Sequence, residues 1–68
     1  MKINPENHFY KHRHEIDRIS KEQGKDAGVA TDIWAAENNC RNHPDRDEWG
    51  RMVTHYQQGD RSLLDLFR

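Results

Sequence analysis

The sequence predicts an all-α protein, a small three-helix bundle closed by a short C-terminal helical turn. Three observations carry this prediction. Apolar residues recur at spacings of three and four in three separate segments, and no stretch alternates strictly. Gly24, Pro44 and Gly59 punctuate the chain between those segments. Only eleven of the 68 residues are Leu, Ile, Val or Phe, so the chain has material for one small domain and a thin core.

The first helix opens with Asn4 as cap and Pro5 at its first position, where a missing N–H costs nothing. It runs to about Gln23, with Gly24 as terminator. Its inward stripe is Phe9, His12, Ile16 and Ile19; Lys11, His14, Glu15, Arg18 and Glu22 face outward. A Lys25-Asp26-Ala27-Gly28 turn leads to a second helix, Ala30 to Asn42, with the stripe Val29, Ile33, Ala36, Cys40 and His43. Asn42-His43-Pro44 ends it, because the residue before proline is driven out of helical geometry. The third helix opens near Asp45, with Asp47 and Glu48 complementing its N-terminal dipole. Trp49, Met52, Val53 and Tyr56 form its stripe and Gly59 ends it. Ser62-x-x-Asp65 has the form of a capping box before a last turn, Leu63 to Phe67.

Low hydrophobicity suggests disorder only when paired with high net charge, and here the net charge is −1. The expected state is a marginal fold that draws stability from a partner protein, a second copy of itself or a metal. Neither half of the chain is strongly basic, which argues against direct nucleic-acid binding. The lone Cys40 fits a reducing compartment, and neither a signal peptide nor a membrane-length apolar run is present. A complete cytoplasmic protein without membrane association is expected.

Four side chains have metal-ligand spacing. His8 and His12 lie four apart on the first helix, and Cys40 and His43 three apart on the second, so each pair can reach one point. Packing the two helices together would offer three nitrogens and a sulfur to a tetrahedral, structural zinc. This His-x3-His-x27-Cys-x2-His pattern is similar to that of retroviral integrase N-terminal domains, small zinc-stapled bundles, with His43 where that family has a second Cys. The plainer reading makes Cys40 a small buried hydrophobe, His12 a hydrogen-bonded core residue, and His8 and His43 surface residues, with no cofactor. Catalysis is not expected: the Cys40–His43 pair lacks an orienting third group, and no glycine-rich phosphate loop exists. Gly24 to Thr31 resembles the turn of bacterial helix-turn-helix repressors. The recognition helix this implies, Thr31 to Asn39, carries Asp32 and Glu37 but no Lys or Arg.

Two apolar features miss the stripes. Trp34 lies about 100° round an ideal helix from Ile33, away from the expected core face, and Tyr10 is off the first stripe. Both are expected as aromatic anchors for a partner. Leu63, Leu64, Leu66 and Phe67 crowd the C-terminus as an apolar plug for a groove. Leu63-Leu64-Asp65-Leu66-Phe67 also resembles the peptide by which bacterial replication proteins hold the sliding clamp, with Leu63 in place of its Gln. Glu15 to Ser20, Ala27 to Ala30, Pro44-Asp45 and Trp49-Gly50-Arg51 resemble segments of the theta subunit of bacterial DNA polymerase III. That resemblance implies a small three-helix protein that binds the proofreading subunit and has no catalysis of its own. The leading expectation is a non-catalytic regulator or inhibitor that binds another protein, or itself as a homodimer. The alternative is a nucleic-acid-associated module, theta-like, clamp-binding or zinc-stapled.

Overall fold

The computed structural model describes residues 4–59. Four helices follow in order: α1 (His8–Lys11), α2 (Arg13–Gln23), α3 (Ala27–Glu37) and α4 (Arg46–Gln57), with no strand among the described residues. α3 packs chiefly on α2, while α4 packs on α3 and α1. This is the small helical bundle expected, with its first helix in two pieces. The C-terminal turn Leu63 to Phe67 lies outside the described residues.

The entry differs from expectation. The Asn4 carbonyl accepts the Asn7 N–H at 3.1 Å and its side chain accepts the Glu6 N–H at 3.0 Å. Asn4 and Pro5 therefore form a turn ahead of the helix. The cap is Asn7, whose Oδ1 accepts from the Phe9 and Tyr10 N–H groups at 2.9 and 3.2 Å. At His12 (φ −107°, ψ 20°) the bonding tightens to the Phe9 carbonyl, separating α1 from α2. Phe9 and Ile16 of the expected stripe are fully buried, and Ile19 is half-buried against the core. Gly24 ends α2 with φ 62°, a left-handed geometry that glycine adopts without a Cβ penalty.

α3 starts three residues earlier than expected, because Asp26 caps it by accepting the Val29 N–H at 2.8 Å. It also stops five residues earlier, well before Pro44. Asn39 takes the left-handed conformation (φ 57°), and the Cys40 N–H reaches back to the Ala35 carbonyl at 2.8 Å. That six-residue closure behind a left-handed residue is the longer hydrogen bond of a Schellman stop, and both Cys40 and Ala35 are buried. The Asn38 side chain adds a bond to the Trp34 carbonyl at 2.9 Å.

The buried face of α3 is Ala27, Ala30, Thr31, Trp34 and Ala35. Val29 is 42% exposed, Ala36 is exposed and Ile33 is half-buried, so the helix is rotated from the expected Val29–Ile33–Ala36 stripe. Area decides the rotation. An indole removes about 150–250 Å² from water, worth roughly 4–6 kcal/mol, against roughly 1.5–3 for a valine. Burying Trp34 sacrifices only Val29 and the small Ala36, since Ile33 keeps partial cover. The three alanines let α3 approach its neighbours closely. α4 matches its expected stripe: Trp49, Met52 and Val53 are buried and Tyr56 half-buried.

Both indole N–H groups find acceptors. Trp34 Nε1 donates to Glu15 Oε2 at 2.9 Å, and Trp49 Nε1 to Thr31 Oγ1 at 2.8 Å. The Thr31 hydroxyl donates in turn to the Ala27 carbonyl at 2.7 Å. Replacing Thr31 with Val removes the acceptor that the Trp49 indole uses and should cost about 1–3 kcal/mol in urea unfolding, with Thr31→Ser losing clearly less. At the α3 stop, Asn39→Gly should hold or raise stability, whereas Asn39→Val should lower it by about 1–2 kcal/mol in the same measurement.

Candidate functional site

The four sequence-derived ligand candidates meet where α1 abuts the segment between α3 and α4. His8 is the first residue of α1. Its ring stacks on His43, with centroids 4.5 Å apart and planes 11° apart, and meets the edge of His12 at 5.0 Å. His8 Nε2 lies 3.5 Å from Cys40 Sγ, and the thiol directs its own hydrogen to the Asn38 carbonyl at 3.2 Å. His12 lies over Trp34 at 5.2 Å, with Nδ1 3.3 Å from the Glu15 carboxylate that also takes the indole N–H.

The arrangement is a ring stack rather than a coordination sphere. Imidazole lone pairs lie in the ring plane, so near-parallel rings direct them side by side and not at one point. His43 Nδ1 is already engaged, accepting the Asp45 N–H at 3.0 Å. Among the described residues no three His, Cys, Asp or Glu side chains converge on a common point that could hold a metal ion. Cys40 is buried beyond the end of α3, and His43 sits in the loop instead of on a helix.

A buried polar staple holds this corner together. Asn7, only 1% exposed, caps α1 with its oxygen. Its Nδ2 donates to the Asp45 carbonyl at 3.1 Å, with Glu48 Oε1 at 3.4 Å. The Asp45 carboxylate in turn accepts the His8 N–H at 2.9 Å. Burial pushes the His8 imidazole below its ordinary range, and the nearby His43, His12 and Lys11 push the same way against the opposing pull of Asp45. The sequence pointed to these histidines through their spacing. It offered no sign of Asn7 or Asp45 as their supports, because both contacts span more than thirty residues.

Of the expected aromatic anchors, Trp34 is 4% exposed and belongs to the core, which corrects its placement on an outer face. Val29 and Ile33 do not mark the inner face of α3, so the offset of about 100° from Ile33 turns Trp34 inward. Tyr10 is off the main stripe as expected and half-buried, with the Arg13 guanidinium 4.2 Å from its ring centre. Leu63, Leu64, Leu66 and Phe67 lie outside the described residues.

A second feature was not legible in the sequence. α3 and α4 run antiparallel, as the Thr31–Trp49 and Asp32–Arg46 contacts show, and leave an open groove between them. Gly28 and Val53 line it, with Val29 on its edge; a Cβ added at Gly50 would meet nothing within 4 Å. Val29 is the one large exposed hydrophobic among the described residues.

Removing the staple should be expensive. Asn7→Ala deletes a cap and two long-range contacts, and should lower stability by about 2 kcal/mol in chemical denaturation. Asn7→Asp, which keeps the cap acceptor but sets a carboxylate against Glu48, should recover only part of that loss. No protein-family model, no curated protein and no solved structure matches this chain.

Proposed function

We propose that this chain acts without catalysis, by binding an amphipathic helix of another protein in the groove between α3 and α4. The observation that carries the reading is Val29. In a chain whose buried apolar set includes three alanines and a cysteine, a valine 42% exposed at a groove edge is apolar surface left outside the core. Gly50 supports it, since a helix can approach closely where no side chain stands in the way. The groove is flanked by both signs of charge, with Asp32 and Asp47 set against Arg46 and Arg51. A partner helix with an apolar stripe and mixed-charge edges fits this surface.

The C-terminal residues Leu63, Leu64, Leu66 and Phe67 are, from sequence, a further contact of the same chemistry. Regulation or inhibition of a larger assembly follows from such binding, by occlusion or by stabilising the partner. Self-association through the same surface is the competing occupancy.

The test uses the full chain with an affinity tag and its Val29→Glu variant. Because Val29 is exposed, the variant should melt within a few degrees of the parent, consistent with about 0.5 kcal/mol for a surface change. The expected result is a protein retained by the parent and lost by the variant, with both chains monomeric by light scattering. Equal retention by the two chains overturns the groove. A parent dimer that Val29→Glu converts to monomer replaces the foreign helix with a second copy.

A further inference from the structure

We propose that the His8–His43 stack is a pH-operated latch, whose uncharged rings hold α1 on the α3–α4 loop and whose protonation releases α1. The inference goes beyond partner binding and does not depend on it.

Two geometric facts make the closed latch a property of neutral rings. The rings lie nearly parallel at 4.5 Å, face to face, where two cations would repel across a half-buried contact. His43 Nδ1 accepts the Asp45 N–H at 3.0 Å, and a nitrogen can accept only while it carries no hydrogen. Protonating His43 therefore breaks the bond that shapes the loop at Asp45, and the Asp45 carboxylate is what receives the His8 N–H.

The surrounding charges pull both ways, and burial tips the balance at His8. Lys11 of α1 and His12 at the α1–α2 break add positive character beside His8. From α2, the Glu15 carboxylate is engaged by His12 Nδ1 and the Trp34 indole. Glu48 of α4 faces the Asn7 amide. In the loop, the Cys40 thiol donates to the Asn38 carbonyl, and the Asp45 carboxylate opposes release, countering charge on His8 and lying 3.9 Å from His43 Nδ1. The balance leaves His8 below its ordinary value, with burial the largest cause. A released His8 titrates near its ordinary value of about 6.5, so below that pH the released state binds more protons than the latched one. Falling pH thus favours release, beginning near the ordinary value and deepening toward the lowered one.

Release matters because of what the latch covers. The His8 ring lies 5.6 Å from Trp34 and 5.7 Å from Phe9, both buried. Swinging the four-residue α1 away uncovers apolar surface that the neutral protein hides.

The experiment is amide hydrogen exchange by NMR between about pH 7.5 and about pH 5, expressed as protection factors corrected for intrinsic rate, alongside histidine ring titration. The expected result is a His8 midpoint below 6.5 and a fall of about tenfold or more in protection at His8, Phe9, Tyr10 and Asp45 across that midpoint. Protection at Ile19 in α2 and Ala35 in α3 should stay within about threefold. His8→Phe, which keeps a ring in the stack without its charge, should remove most of the fall in α1, whereas His43→Phe, which lacks the Nδ1 acceptor, should leave the Asp45 amide poorly protected at both pH values. Unchanged protection in α1 at the lower pH overturns the latch. So does an equal loss in α2 and α3, which is global unfolding, or a full pH response in both phenylalanine variants.

Discussion

Two buried indole N–H groups set the terms for the rest of the structure. A tryptophan buried without a hydrogen-bond acceptor loses much of what its area contributes. This chain buries two tryptophans and has a thin supply of other apolar bulk. Glu15 answers Trp34 from α2, and Thr31 answers Trp49 from α3. Together these bonds tie α2 to α3 and α3 to α4. The rotation of α3 about its axis follows, because Thr31 and Trp34 lie three apart and must both face inward. Once α3 is turned that way, Val29 is left on the outer edge and the α3–α4 groove takes its lining.

The scarcity of apolar residues is offset by polar connections between distant segments. Asn7 is the clearest case. A fully buried amide caps α1 and bonds the start of α4 across 38 positions. Such a residue is costly to bury and rewarding once every polar atom is matched. The described residues contain no buried side-chain nitrogen or oxygen without a partner. Asp45 completes the corner, and half-buried histidine rings pack along its edge. Filling space with titratable rings couples packing to proton concentration, which a leucine in the same place would not do.

Much of the architecture was legible along the chain. Gly24 ends α2, and the Trp49–Met52–Val53–Tyr56 stripe of α4 lies inward with Tyr56 partly covered. The start and stop of α3 were misread for local reasons. Asp26 is an ordinary cap signal that the nearby Gly28 obscured, and Asn39 in a left-handed conformation ended the helix before Pro44 could. The break at His12 had no punctuating residue to announce it. The convergence of His8, His12, Cys40 and His43 on one corner was anticipated from spacing, although Cys40 and His43 reach it from a loop and the rings stack instead of converging.

The sequence by itself determined the class of this protein: helical periodicity, glycine and proline punctuation, and too few aliphatic residues for more than one thin core. These are properties of neighbours within a turn or two, where geometry is set by local sterics and caps. Only the tertiary structure decided which side of α3 is inside, that Trp34 is core and Val29 surface, and that Asn7 and Asp45 hold the histidine corner. Those outcomes depend on which area is worth more to bury and on polar partners supplied from eighteen or more residues away, and no local pattern records either.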